Sequence, residues 1–170
     1  ASPTLPTTEG GMTCVKAEAL LSRFASGTGI VVTSLRLAGL YGPARLLRSK
    51  ADIMSGMVIR SPGDEWLNLV HIDDATQSIL DVGELDSPAV LNVVGHEPLL
   101  RRDYYEELSR LLGAPAPTFT PTEQRERSGS KRVISNFRKS LGIHFRFDDA
   151  RAGLIDAVAR TYPEADVPIG

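Results

Sequence analysis

The 170-residue sequence predicts an α/β fold with parallel strands, and two observations carry that reading. Stretches rich in β-branched and apolar residues (30–37, 66–72 and 89–94) alternate with stretches whose apolar residues recur at helical spacing. The first stretch, Ile30-Val31-Val32-Thr33-Ser34-Leu35-Arg36-Leu37, is nearly continuously apolar, the pattern of a strand covered on both faces. The composition fits one folded domain: 42% hydrophobic and 24% charged residues. A formal net charge of −2 gives no electrostatic reason to expect nucleic acid or an anionic membrane as partner. The chain has one cysteine, so it cannot form an intrachain disulfide, and a reducing, cytoplasmic setting is expected. No apolar run approaches the roughly 18 residues of a membrane span.

Residues 1–11 have the Pro, Thr and Gly content of a loop. Ala17, Leu20, Leu21 and Phe24 then mark the apolar stripe of a helix, ended by Gly27 and Gly29. After the strand at 30–37, Gly39-Leu40-Tyr41-Gly42-Pro43 reads as a turn or loop, and 44–64 as a helix plus a loop. Trp66–Ile72 is a strand. Asp73 or Asp74 caps the next helix, which turns Ala75, Ile79 and Val82 to one side. Ala89–Val94 is a strand ended by Gly95, and Tyr105, Leu108, Leu111 and Leu112 mark a helix closed by Gly113. Residues 114–130 read as a long loop, 136–141 as a short helix and 143–147 as a brief strand. Asp148 or Asp149 caps the last helix, with Leu154, Ile155 and Val158 inward.

Among residues able to carry chemistry, His71 has two readings. It titrates near neutrality and could act as acid, base or ligand. The simpler reading is a histidine hydrogen-bonded at a strand-to-helix turn. Asp73 and Asp74 read as caps and no metal site is expected, because no His or Cys stands at ligand spacing. Cys14 reads as a buried, inert thiol, and Tyr104 and Tyr105 as packing residues. Arg36, inside a strand, reads as an ion-pair partner or a snorkelling side chain. Arg125, Arg127, Lys131 and Arg132 are balanced by Glu123 and Glu126, a solvated loop with phosphate binding as the alternative. The Gly-x-Ser-x-Gly, Cys-x-x-Cys and His-Glu-x-x-His signatures are absent, as is a phosphate loop ending in Gly-Lys-Ser/Thr.

The order of motifs resembles the carboxy-terminal portion of an extended, atypical short-chain dehydrogenase/reductase of the NAD-dependent epimerase/dehydratase family. The matching pieces are the Ser2-Pro3 loop, the helix with Lys16 and Glu18, Leu35-Arg36-Leu37-Ala38-Gly39-Leu40-Tyr41-Gly42-Pro43 and Val70-His71-Ile72-Asp73-Asp74. Leu91-Asn92-Val93-Val94, Leu141-Gly142 and Gly153-Leu154 follow. The resemblance implies a partial Rossmann-type sheet lacking its amino-terminal half, with a small substrate-binding lobe. Residues 1–97 would belong to the Rossmann-type part, with 44–85 partly in the lobe, and 98–170 to the lobe. It implies NAD or NADP as cofactor and a small polar metabolite as substrate, with a homodimer as the open assembly. Lys16 would be catalytic, and Lys16, Leu37, Ala38 and Gly39 would hold the cofactor. Leu40, Tyr41 and Arg45 would meet substrate.

Three departures accompany the resemblance. The dinucleotide-binding glycine loop is not found, because Gly39 and Gly42 have no third glycine and Gly27-x-Gly29 precedes a strand. Met12 stands four residues before Lys16, where the family's tyrosine is expected, and a thioether cannot transfer a proton. Leu67-Asn68-Leu69 replaces an arginine that contacts substrate phosphates in many nucleotide-sugar members. Two readings therefore stand: an epimerase/dehydratase- or reductase-like enzyme, or an inactive binding protein of that family. Ala1 reads as a cut inside a loop, which predicts that one edge of the 30–37 strand lacks a partner in this chain.

Overall fold

The computed structural model describes residues 5–86, 89–95, 98–120, 131–135, 141–142, 144–147 and 149–164. Helix α1 (Glu9–Thr28) starts where the Thr8 hydroxyl accepts from the Gly11 N–H. It ends at Gly29, whose positive φ of 72° suits a residue without Cβ. Strand β1 (Thr33–Leu37) then pairs in parallel with β6 (Ala89–Val93), from Thr33 opposite Ala89 to Leu37 opposite Val93. The predicted strand at 30–37 is thus three residues shorter at its start. Among the described residues its partner strand begins at Ala89, and Ile30 and Val31 are exposed. Nor is β1 covered on both faces: it is half-buried, with Leu37 exposed. Among the described residues, β6 is the one strand paired with it.

The predicted turn at 39–43 is shorter than expected. Gly39–Tyr41 forms β2, parallel to β5 (Leu69–His71), and the chain turns only between Gly42 and Arg45, through paired backbone hydrogen bonds. A short α2 (Lys50–Met54), capped by Ser49, leads to β3 (Val58–Ile59). The expected strand at 66–72 is broken at Asn68. Trp66–Leu67 (β4) pairs antiparallel with Leu99–Leu100 (β7), whereas Leu69–His71 pairs with β2. Ile72 already belongs to helix α3 (Ile72–Asp81). On α3, Ala75 is buried but Ile79 is exposed; Asp74 and Ser78 take the inward positions instead. Helix α4 (Arg101–Leu112) ends at Gly113 as expected.

The expected loop at 114–130 contains a strand, β8 (Thr118–Phe119), parallel to β3. No strand forms at 144–147. Asp74 accepts the Arg146 and Phe147 N–H groups, so this segment closes as a turn while Phe145 and Phe147 fill core space. Residues 136–140 of the expected short helix lie outside the described residues, as do Glu123, Arg125, Glu126 and Arg127. Helix α5 (Ala150–Thr161) is capped by Asp149, which accepts from the Arg151 N–H.

Two apolar clusters hold these elements. Tyr41, Ile53, Ile59, Tyr104, Leu108, Leu154 and Val158 gather α2, α4 and α5 around one. Val70, Ala75, Leu91, Val93 and Phe145 form the other, beneath α3. Tyr104 and Tyr105 pack in the first cluster, as read from sequence. Gly153 permits the close approach of α5 to Tyr41: a Cβ there would overlap the tyrosine hydroxyl.

Candidate functional site

A pocket of about 460 Å³ opens at the carboxyl ends of β1 and β6, the end of a parallel sheet where ligands collect. Arg36, Leu37, Ala38 and Gly39 line it from β1 and its continuation, and Asn92, Val93 and Val94 from β6 and the residue after it. Asn68 and Val133 complete the lining. Three backbone hydrogen bonds fix the pocket wall: Ala38 N–H to Val93 O at 2.9 Å, Gly39 N–H to Asn68 O at 3.0 Å and Gly95 N–H to Leu69 O at 2.7 Å. Gly39 has little room to vary, because a Cβ would lie 3.0 Å from Leu69 Cδ2.

Arg36 spends its guanidinium on α1. Its Nε and Nη2 donate to the two Glu18 carboxylate oxygens at 2.8 and 2.6 Å. This two-pronged bond holds the Glu18 carboxyl below the ordinary carboxylate range. Of the two sequence readings of Arg36, the structure shows the ion pair.

The sequence-predicted site residues are not all brought together. Leu37, Ala38 and Gly39 share the pocket. Lys16 is exposed on α1, two residues before Glu18, and does not line it; Met12 is exposed one turn earlier. Leu40 is half-buried. Tyr41 lies in the core, its ring edge-on to His71 at 5.3 Å and its hydroxyl donating to Ala150 O at 3.4 Å. Burial pushes the Tyr41 phenol pKa well up. Arg45 is exposed, and its Nε donates to Leu40 O. Cys14 is exposed, not buried as its residue type suggested, because α1 turns that side to solvent.

Asn68, Asn92, Val93, Val94 and Val133 were missed as pocket residues. Position 92–94 is legible once β6 is seen to end there, since strand ends line such sites. Val133 arrives from a segment with no element of its own, and no spacing in the sequence points to it.

His71, fully buried, caps α3: its Nδ1 accepts the Asp73 N–H at 3.2 Å. This overturns the expected Asp73 or Asp74 cap and matches the simpler reading of His71. The helix starts at Ile72, two residues earlier than an Asp73 cap and three earlier than an Asp74 cap would place it, so His71 is the side chain in reach of the free amides. Because Nδ1 accepts, the neutral ring carries its proton on Nε2. That atom has no hydrogen-bond partner and lies 3.5 Å from Asp156 Oδ2. Burial pushes the His71 pKa down, against the pull of Asp73 and Asp156. The three groups lie close together, but Arg160 Nη1 already sits 2.7 Å from Asp73 and 3.0 Å from Asp156. This cluster is a cap tied to α5 by an arginine.

No family model matches the sequence, and no curated protein matches it. Solved structures do. UDP-N-acetylglucosamine 4-epimerase from Methanobrevibacter ruminantium M1 superposes with a TM-score of 0.78 at 15% identity, over 96% of this chain and 56% of its own. UDP-glucose 4-epimerase from Thermotoga maritima gives 0.74 at 19% identity, over 96% and 59%. The UDP-glucose 4-epimerase of Thermus thermophilus, solved with NAD, gives 0.70 at 18% identity, over 94% and 55%. The chain has part of the fold of the NAD-dependent epimerases. It spans a little over half the length of these structures. The sequence-level resemblance and the fold therefore agree. Among the described residues, no helix is long and apolar enough to cross a membrane.

Proposed function

We propose that the chain forms one half of the ligand cleft of an NAD(P)-dependent epimerase/dehydratase-like protein acting on a small polar metabolite. The supporting observation is the pocket at the carboxyl ends of β1 and β6, which gathers Leu37, Ala38 and Gly39. The known structures of this fold include complexes with NAD and with UDP-sugars. In this reading residues 1–97 are the Rossmann-type part, with 44–85 partly in the substrate lobe, and 98–170 form that lobe. Leu37, Ala38 and Gly39 face the nicotinamide end of NAD or NADP. Lys16 holds the ribose once a ligand spans pocket and helix, and Leu40, Tyr41 and Arg45 shape the substrate side. Residues outside this chain, or a second copy in a homodimer, complete the cleft.

Met12 favours a second reading, in which the ligand is held and not turned over. The position four residues before Lys16 stacks on the same helix face, and a thioether there supplies no proton. Calorimetry of the longest natural polypeptide containing these residues, titrated with NAD+ and with NADP+, tests both readings. Binding of either cofactor supports the cleft, and binding of neither sinks both. Nicotinamide oxidation or reduction by that polypeptide separates them. Inactivity of the parent with activity in Met12→Tyr establishes the binding-protein reading, and activity of the parent refutes it.

A further inference from the structure

The pocket at the carboxyl ends of β1 and β6 has one charged residue in its lining, Arg36. The rest of the lining carries apolar side chains, carboxamides or, at Gly39, no side chain. Glu18, on α1, does not line the pocket, yet its carboxylate holds the guanidinium at two points, Nε at 2.8 Å and Nη2 at 2.6 Å. The Arg36 and Glu18 side chains are 32% and 23% exposed, so water screens them only in part. Together they carry no net charge. Without Glu18, the wall of β1 would present a cation to whatever enters.

That cancellation decides what the pocket can hold. A phosphate or carboxylate that leaves water for a neutral site gives up its hydration and meets no opposing charge. A hydroxyl or a carboxamide gives up far less. Hydrogen bonding is retained, because arginine has five N–H donors and Glu18 takes two of them. The Asn68 carboxamide adds no charge and is already engaged: Nδ2 donates to Lys131 O at 2.8 Å and Oδ1 accepts the Val133 N–H at 2.7 Å. Lys131 and Arg132 precede Val133 but are not in the lining, and the Arg132 guanidinium stands over the Trp66 ring.

We infer that Glu18 is a specificity-determining residue: by neutralising Arg36 it makes this pocket a site for an uncharged, hydrogen-bonding group and turns away phosphate and carboxylate. This rests on the pocket being the ligand site, as proposed above. It narrows the small polar metabolite to one whose bound part carries hydroxyl or amide groups.

The charge of the pocket is measurable without a ligand. Cys14 is the chain's one cysteine, so Cys14→Ser combined with Leu37→Cys leaves a single thiol, at an exposed position of the lining. An anionic and a cationic methanethiosulfonate react with the same thiolate, so the ratio of their rates reads the local potential. Adding Glu18→Gln is expected to raise the anionic-to-cationic ratio about fivefold at low salt, and Arg36→Gln to lower it about fivefold. Lys131 and Arg132 are present in every variant, so their charge cancels from the comparison. Molar salt should erase both changes. An unchanged ratio in a folded Glu18→Gln protein overturns the inference. Should that variant fail to fold, Arg36→Gln decides by the opposite sign, and an unchanged ratio there overturns it equally.

Ligand choice is read in the longest natural polypeptide containing these residues. Nicotinamide and nicotinate share one ring and differ in charge. The amide is expected to bind about tenfold tighter than the acid, and Glu18→Gln to remove that preference. Equal affinities in the parent overturn the role of Glu18 while leaving the pocket a ligand site. Binding of neither probe removes the ligand reading itself, and this inference with it, so the two failures are distinguishable.

Discussion

Helices α1 and α5 follow the same sequence rule and meet opposite fates. On α5, Leu154, Ala157 and Val158 are completely buried against α4 and β5. On α1, Leu20, Leu21 and Phe24 remain 68%, 50% and 58% exposed, and Ala25 is the one buried residue. The side of α1 that meets the rest of the chain carries Val15, Glu18 and Ala25, and Glu18 is bonded there to Arg36. Periodicity reports that a helix has an apolar face; it does not report that the same chain supplies something to cover it. The difference also assigns each helix its bond to the fold: packing for α5, a salt link for α1.

Core substitutions should break this contrast hardest. Leu154→Ala is expected to destabilise the chain by about 3 kcal/mol, because it opens a cavity in a closed cluster. Leu20→Ala on α1 should change stability by less than about 0.5 kcal/mol. Urea melts of both decide the matter, and equal losses would show that α1 is covered in solution.

Gly153→Ala comes next. Its Cβ would overlap the Tyr41 hydroxyl and press on Phe147, costing about 2 kcal/mol in the same melts. Tyr41→Phe in the same chain should recover part of that loss by removing the hydroxyl.

Glu18→Gln sharpens the other side of the comparison. It removes the charge that Arg36 faces and should cost about 1 kcal/mol, less at high salt. The loss should appear as faster amide exchange confined to α1, with α5 unaffected.

A smaller effect is expected from pH. Burial holds the His71 pKa below its ordinary value of 6.5, so the unfolded chain binds this proton more tightly than the folded one. Stability should therefore fall as pH drops below 6.5 toward the folded value. Asp74 works the other way: burial raises its pKa above 3.8, so its protonation favours the fold as pH falls further. Melting temperatures across this range, in the parent and in His71→Asn, isolate the histidine. A flatter profile in the variant is expected, since asparagine keeps an acceptor for the Asp73 amide.

Much of this architecture is legible in local chemistry. The Gly29 and Gly113 terminators, the Asp149 cap and the strand at 89–93 follow from residue preferences that act within a few positions. The pocket residues Leu37, Ala38 and Gly39 were legible because the motif order resembles a known family, part of whose fold the chain has. Other features depended on partners distant in sequence. Gly39–Tyr41 is a strand only because Leu69–His71 lies beside it. The 66–72 stretch divides because β4 and β5 find different partners. Val58–Ile59 and Thr118–Phe119 are each other's reason for being strands.

What the sequence by itself determined is where α1 and α4 end, where α5 begins, where the 89–93 strand lies and which helix faces are apolar, because caps, glycines and periodicity act locally. Only the tertiary structure decided which faces are covered, that His71 and not an aspartate caps α3, and that Asn68 grips a segment more than sixty residues away. Burial and side-chain hydrogen bonding require a second surface, and where that surface comes from is settled by packing across the chain.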